Sequence, residues 1–163
     1  MNIIAHGLWG AALAPKNTRN QKWFNQSIIF SVAPDFIWLI FLIPYLIITK
    51  NQIPTGWNYA PKWFFELYGL THSIIIWLAV FIGSSFIFKK LQWPELFWLF
   101  HILLDIPGHT HFTTPFLFPI SDFRYKGLFS WESPLLLLLS LLIPIVVLLL
   151  KYRVKLREKI KVL

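Results

Sequence analysis

The chain contains no cysteine. Disulfides, thiolate metal ligands and a cysteine nucleophile are all excluded, and the redox state of the compartment leaves no mark on the sequence. Charge is nearly as scarce. Only 13% of the 163 residues are charged and just seven are acidic, so a carboxylate within an apolar stretch is conspicuous. The HExxH pattern of intramembrane zinc proteases is missing, as are the internal repeats that many transporters show. The N-terminal stretch has no basic region ahead of its apolar residues and no clear cleavage site, and it reads as mature protein rather than a signal peptide.

What is present is hydrophobic. Apolar residues make up 56% of the chain, with nine Trp and sixteen Phe, and several runs are long enough to cross a bilayer. Ile28 to Thr49 carries one charge, Asp35, while Leu67 to Phe88 and Pro134 to Leu150 carry none. The length fits a single membrane-embedded domain, 1–163, with a basic cytoplasmic tail at 151–163. A formal charge of +8 would suggest nucleic acid in a soluble protein. Here the cations flank apolar spans, so they set topology and no nucleic-acid partner is expected. With the tail cytoplasmic, eleven Lys and Arg lie inside (three in 16–22, two at 89–90, six in the tail) and four outside: Lys50, Lys62, Arg124 and Lys126.

Residues 3 to 15 are expected to form a short apolar helix carrying His6. Its small residues, among them Ala5, Gly7, Gly10 and Ala11, suit close packing on another membrane helix. Pro34 should kink or interrupt the second span. Residues 50 to 66 read as an interfacial stretch with Trp57, Tyr59 and Trp63. The third span runs from Thr71-His72-Ser73 to Lys89-Lys90, and a fourth segment, Leu91 to about Asp105, is too short to cross alone. Residues 106 to 130 form a long outer loop. The expected fold is an all-α integral membrane helical bundle of about four to five helices, with a short fourth helix.

The chemistry concentrates in His101 to Pro119, HILLDIPGHTHFTTPFLFP, where three histidines and an aspartate fall within eleven residues. Helical spacing puts His101 and Asp105 on one face, a turn apart. Pro107 and Gly108 should stop that helix, leaving His109 and His111 in the loop. Helix rise places His6, Asp35, His72, His101 and Asp105 each about 15–25 Å from the inside basic residues. Four segments thus bring five ionisable groups into one slab of the membrane, where each costs several kcal/mol unless paired or bound. Taken singly, His6 is a packed histidine and Asp35 or His72 a helix cap. Taken together, two carboxylates and three imidazoles call for a divalent cation, zinc ahead of manganese or iron. Three protein ligands and one position left to water is the catalytic arrangement.

The order His6, Pro34-Asp35, Thr71-His72-Ser73, His101-Ile-Leu-Leu-Asp105 and Leu117-Phe118-Pro119 resembles the YdjM-like membrane-bound metal-dependent hydrolases. That family is grouped with the zinc-dependent phospholipase C and single-strand nuclease superfamily. The resemblance covers roughly residues 1 to 135. It implies a prokaryotic inner-membrane protein with metal ligands His6, Asp35, His72, His101 and Asp105. Two positions depart from the family's pattern: Ile37 stands where a second acidic residue is often found, and no Arg lies among Glu66 to Leu70.

The expected function is hydrolysis of a phosphoester of a lipid or lipid-linked substrate at the outer side of the membrane. Asp35, Asp105 and His109 are the candidates for proton transfer. Arg124 and Lys126 either hold phosphate at the site mouth or are ordinary interfacial charge. The alternative is a non-enzymatic membrane protein whose cluster binds a structural metal or relays protons. Lipid phosphatases of the vanadium-haloperoxidase type share a His-x-x-x-Asp element, but their Arg six residues before the histidine is Glu95 here.

Overall fold

A short helix of small residues packed on a long one is the frame on which the other elements hang. The structure, a computed structural model, describes residues 1–15, 21–49, 61–110 and 113–161, with side chains as far as Arg153. Six helices and no strand occur among them: α1 (Ile3–Leu13), α2 (Gln21–Ile48), α3 (Lys62–Thr71), α4 (Ile74–Ile87), α5 (Leu96–Gly108) and α6 (Pro134–Lys161). A single 3₁₀ turn, Trp93–Glu95, leads into α5. By length and composition α2 and residues Pro134–Arg153 of α6 can each cross a membrane, and α3 with α4, bent by 51° at their break, can make a third crossing.

The all-helical bundle is as expected, and so is the short α5. The additional element is α3, which takes in the end of the stretch read as interfacial. Pro34 does not interrupt α2; both Pro34 and Pro44 lie inside one continuous helix. A proline deletes one rung of the ladder, and the remaining rungs with tertiary packing carry the helix through. Likewise α5 runs through Pro107 to end at Gly108, with His109 at its C-cap.

Asn2 caps α1, its side chain accepting from the Ala5 amide at 2.9 Å. Gly10 faces α2 so closely that a Cβ would stand 2.9 Å from the Ser27 carbonyl oxygen and from Ser31 Cβ. Ser27 and Ser31 are buried there, their hydroxyls donating to Trp23 O at 2.8 Å and Ser27 O at 2.9 Å. The small-residue face thus does what its composition suggests.

At the other end of α1, Lys151 on α6 points its ammonium at the last carbonyls: Ala11 and Ala12 at 3.2 Å and Ala14 at 2.6 Å. These are the acceptors a helix C-terminus leaves unpaired, and a cation suits the negative end of the dipole. Lys151→Met keeps the stem and removes the donors. It is expected to lower stability by about 1–2 kcal/mol, with Lys151→Arg recovering part, as thermal unfolding in detergent would show.

The loop after α5 closes back over that helix. Gly127, Phe129 and Trp131 donate backbone N–H groups to His109, Pro107 and Gly108 carbonyls, each at 3.0 Å. A Cβ at Gly127 would lie 2.7–2.8 Å from this backbone, so only glycine permits the approach. Farther back, the Ile74 amide donates to Phe116 O at 2.9 Å, and Ser73 Oγ, the N-cap of α4, donates to Phe118 O. The loop is therefore pinned to both ends of the site.

Candidate metal centre

His72 and His101 each have one ring nitrogen committed and the other aimed inward. His101 Nδ1 donates to Ser31 O at 2.7 Å, next to the rung that Pro34 removes. His72, in the break between α3 and α4, has Nδ1 3.2 Å from Tyr68 O and 2.8 Å from Thr71 Oγ1. A carbonyl can only accept, so both Nδ1 atoms carry a proton, and in the neutral rings both Nε2 atoms present lone pairs. Those two Nε2 atoms lie 3.1 Å apart. Two lone pairs facing at that distance repel, and either a proton on one ring or a cation between them relieves the repulsion.

Two carboxylates complete the group. Asp35 Oδ1 is 3.3 Å from His72 Nε2 and 3.7 Å from His101 Nε2. Asp105 Oδ2 is 3.6 and 3.3 Å from the same two atoms, and it is buried without a hydrogen-bond partner among the described residues. All four donors fall within 4.8 Å of one another. Nitrogen and oxygen ligands bound tetrahedrally to zinc at about 2.0–2.1 Å sit roughly 3.3 Å apart. The His–His and His–carboxylate separations cluster around that edge length, so Asp35, His72, His101 and Asp105 could hold a metal ion. Their histidine partners, the carbonyls of Ser31 and Tyr68, are the outer contacts that fix ligand orientation at such sites.

His6 reaches the group through Asp105, its Nε2 3.0 Å from Oδ1, and its ring stacks on that of His101 with centroids 3.7 Å apart. His109 Nε2 lies 3.4 Å from the same oxygen and 3.0 Å from the Met1 amine, which also bonds to Oδ1. Asp105 therefore faces His72 and His101 with one oxygen and His6, His109 and the amine with the other. His111 lies outside the described residues. Arg124 is exposed, donates to Thr113 O at 3.3 Å and reaches Tyr68 electrostatically. Lys126 is exposed too, and neither residue lines the cavity beside the cluster.

That cavity has a volume of about 280 Å³ and is walled by Leu42, Trp38, Tyr68 and Trp131, with Asp35 and His109 at its polar side. Asp105 is 1% exposed against 19% for Asp35, so the cluster opens to the cavity on the Asp35 side. Reasoning from the sequence did not find Tyr68, which stacks on His72 at 3.9 Å, nor Trp131. Tyr68 stands one helical turn before His72, a spacing that becomes visible once 62–71 is read as a helix. The carbonyl partners carry no sequence signal at all.

The fold and site define an all-helical protein, apolar enough to span a membrane, with a buried His/Asp group able to hold a metal. Comparison with protein-family models, curated proteins and solved structures gives no match.

Proposed function

We propose that this chain is a membrane-bound, metal-dependent hydrolase that cleaves a phosphoester of a lipid or lipid-linked substrate. The observation that carries the reading is the pair of inward-facing Nε2 atoms 3.1 Å apart beside a buried, unbonded carboxylate oxygen. The resemblance to the YdjM-like hydrolases supports the same reading, and the excess of cations in 16–22, 89–90 and the tail supports an inside C-terminus in a prokaryotic inner membrane.

Asp35, His72, His101 and Asp105 would hold the ion, and their mixed nitrogen and oxygen donors suit zinc. When bound, a divalent cation supplies Lewis acidity at a phosphoryl oxygen and makes a water more acidic. His6 keeps Asp105 Oδ1 in place from the opposite side. His109, at the cavity wall, takes a proton from the attacking water and returns it to the leaving alkoxide as the ester P–O bond breaks and the new P–O bond forms. The apolar walls Trp38, Leu42 and Trp131 exclude bulk water and receive the substrate's less polar part.

Four donors at such regular spacing also match a closed, structural zinc site, and the partial exposure of Asp35 is what favours catalysis. One experiment separates these. Elemental analysis of detergent-purified protein should find stoichiometric zinc that is lost in His101→Ala, and hydrolysis of phospholipid or polyprenyl phosphoesters in mixed micelles should be lost with it. Metal retained without turnover would assign the structural role. Wild-type protein holding no more metal than His101→Ala would end the proposal.

A further inference from the structure

A second cavity shares two walls with the first. It has a volume of about 270 Å³ and lies between α5 and α6, where Leu104 and Pro107 face Leu136, Ser140 and Ile143. Met1 and Trp131 border both cavities. The cause is in the packing: α6 rests on α1 and barely touches α5, so a gap runs between them. Leu136, Ser140 and Ile143 recur at helical spacing along one face, about 10 Å of helix at 1.5 Å per residue. Ile143 is 45% exposed and Leu139 at the rim 39%, so the groove is open sideways along its length. Around helices of this composition the surroundings are hydrocarbon.

We infer that this groove seats an acyl chain of a membrane phospholipid, whose polar end reaches past Trp131 to the Asp35–His109 side of the neighbouring cavity. A free fatty chain needs no polar companion, but this groove ends on one. Its shared wall leads from a lining of leucine, isoleucine and proline to carboxylate and imidazole, the order of parts in an amphiphile. Its polar side chains are Asn2, whose Oδ1 accepts from the Ala5 amide at 2.9 Å, and Ser140, whose hydroxyl is already donated to Leu137 O at 2.8 Å. Nothing polar in the substrate is therefore asked to sit in the groove. The inference rests on the hydrolase reading for what happens at the polar end, whereas occupancy of the groove is measured without turnover.

The full chain would be reconstituted in phosphatidylglycerol vesicles carrying a trace of phosphatidylglycerol with a mid-chain diazirine, irradiated, and the adducts mapped by mass spectrometry. Adducts are expected to concentrate on Leu104, Leu136, Ser140 and Ile143. They should be lost in Ser140→Phe, which fills the groove, and kept in Leu135→Phe, whose parent side chain is 63% exposed outside it. They should also persist in His101→Ala. A seated chain in a protein with no phosphoesterase activity would thus refute the hydrolase reading while upholding the seat. Wild-type adducts spread evenly over exposed residues such as Val80, Ile82 and Phe86 would overturn the seat, whatever Ser140→Phe does. So would disulfide-linked dimers of Ser140→Cys, clean to read in a chain without cysteine, because they would place a second copy in the groove.

Discussion

Asp105→Asn is expected to abolish stoichiometric metal binding and to cut phosphoester hydrolysis about 10³-fold, the factor that roughly 4 kcal/mol of lost transition-state stabilisation represents. Asparagine keeps the volume, so packing on α5 survives, but it removes the charge and turns one oxygen into an amide donor. That change strikes both sides of the residue. On one side Oδ2 faces the Nε2 atoms of His72 and His101 at 3.6 and 3.3 Å. On the other, Oδ1 receives the Met1 amine and His6. Zinc at a thousand times its dissociation constant should stabilise the wild-type protein by about 4 kcal/mol, and it should leave the variant's unfolding temperature where it was. Even without metal the variant is less stable, because the groups around a buried carboxylate lose their counter-charge. Equal zinc content in wild type and a folded Asp105→Asn protein would remove Asp105 from the site.

The convergence of distant segments was legible because it follows from two countable things. Counting positive residues gives an expected set of helix ends that lie together, and the rise per residue then gives an expected depth for each ionisable group. That arithmetic puts His6, Asp35, His72, His101 and Asp105 in one slab about 15–25 Å from the basic residues, and the structure brings the donor atoms of Asp35, His72, His101 and Asp105 within 4.8 Å of one another. The short α5 was legible as well, since Pro107 and Gly108 mark its end.

Other features left no readable trace. Helix α3 begins at Lys62, after an N-cap Pro61 that makes no side-chain cap bond, and its Trp63 reads with Trp57 and Tyr59 as part of an interfacial stretch. Only the tertiary contacts of Phe64 and Tyr68, both buried, separate a helix from a loop there. Pro34 looks like a break, but a proline costs one rung, and the remaining backbone bonds carry α2 through it. The orientation of His72 and His101 depends on the carbonyls of Tyr68 and Ser31, and every residue type has a carbonyl. Arg124 and Lys126 are exposed and do not line the cavity beside the cluster, a placement their side-chain chemistry does not encode.

Gly10→Leu should destabilise the protein by about 3 kcal/mol, at the upper end of what overpacking costs, and should weaken metal binding by roughly 10- to 100-fold, as loss of a group behind the ligands does. The obstacle is backbone. A Cβ at this position meets the Ser27 carbonyl oxygen at 2.9 Å, and no rotamer change moves a carbonyl in the middle of α2. Helix α1 must therefore lift away from α2. His6 stands one turn before Gly10 on α1, fully buried between Asp105 and the ring of His101, so the shift draws it from Asp105 Oδ1. Gly83→Ala provides the contrast, since nothing lies within 4 Å of its added Cβ. There, the better helix propensity of alanine should stabilise α4 by about 0.5–1 kcal/mol and leave metal affinity alone. Unfolding temperatures and zinc titrations on the two variants carry the comparison. A Gly10→Leu protein with wild-type stability and zinc affinity would mean that the close α1–α2 contact does not hold the centre together.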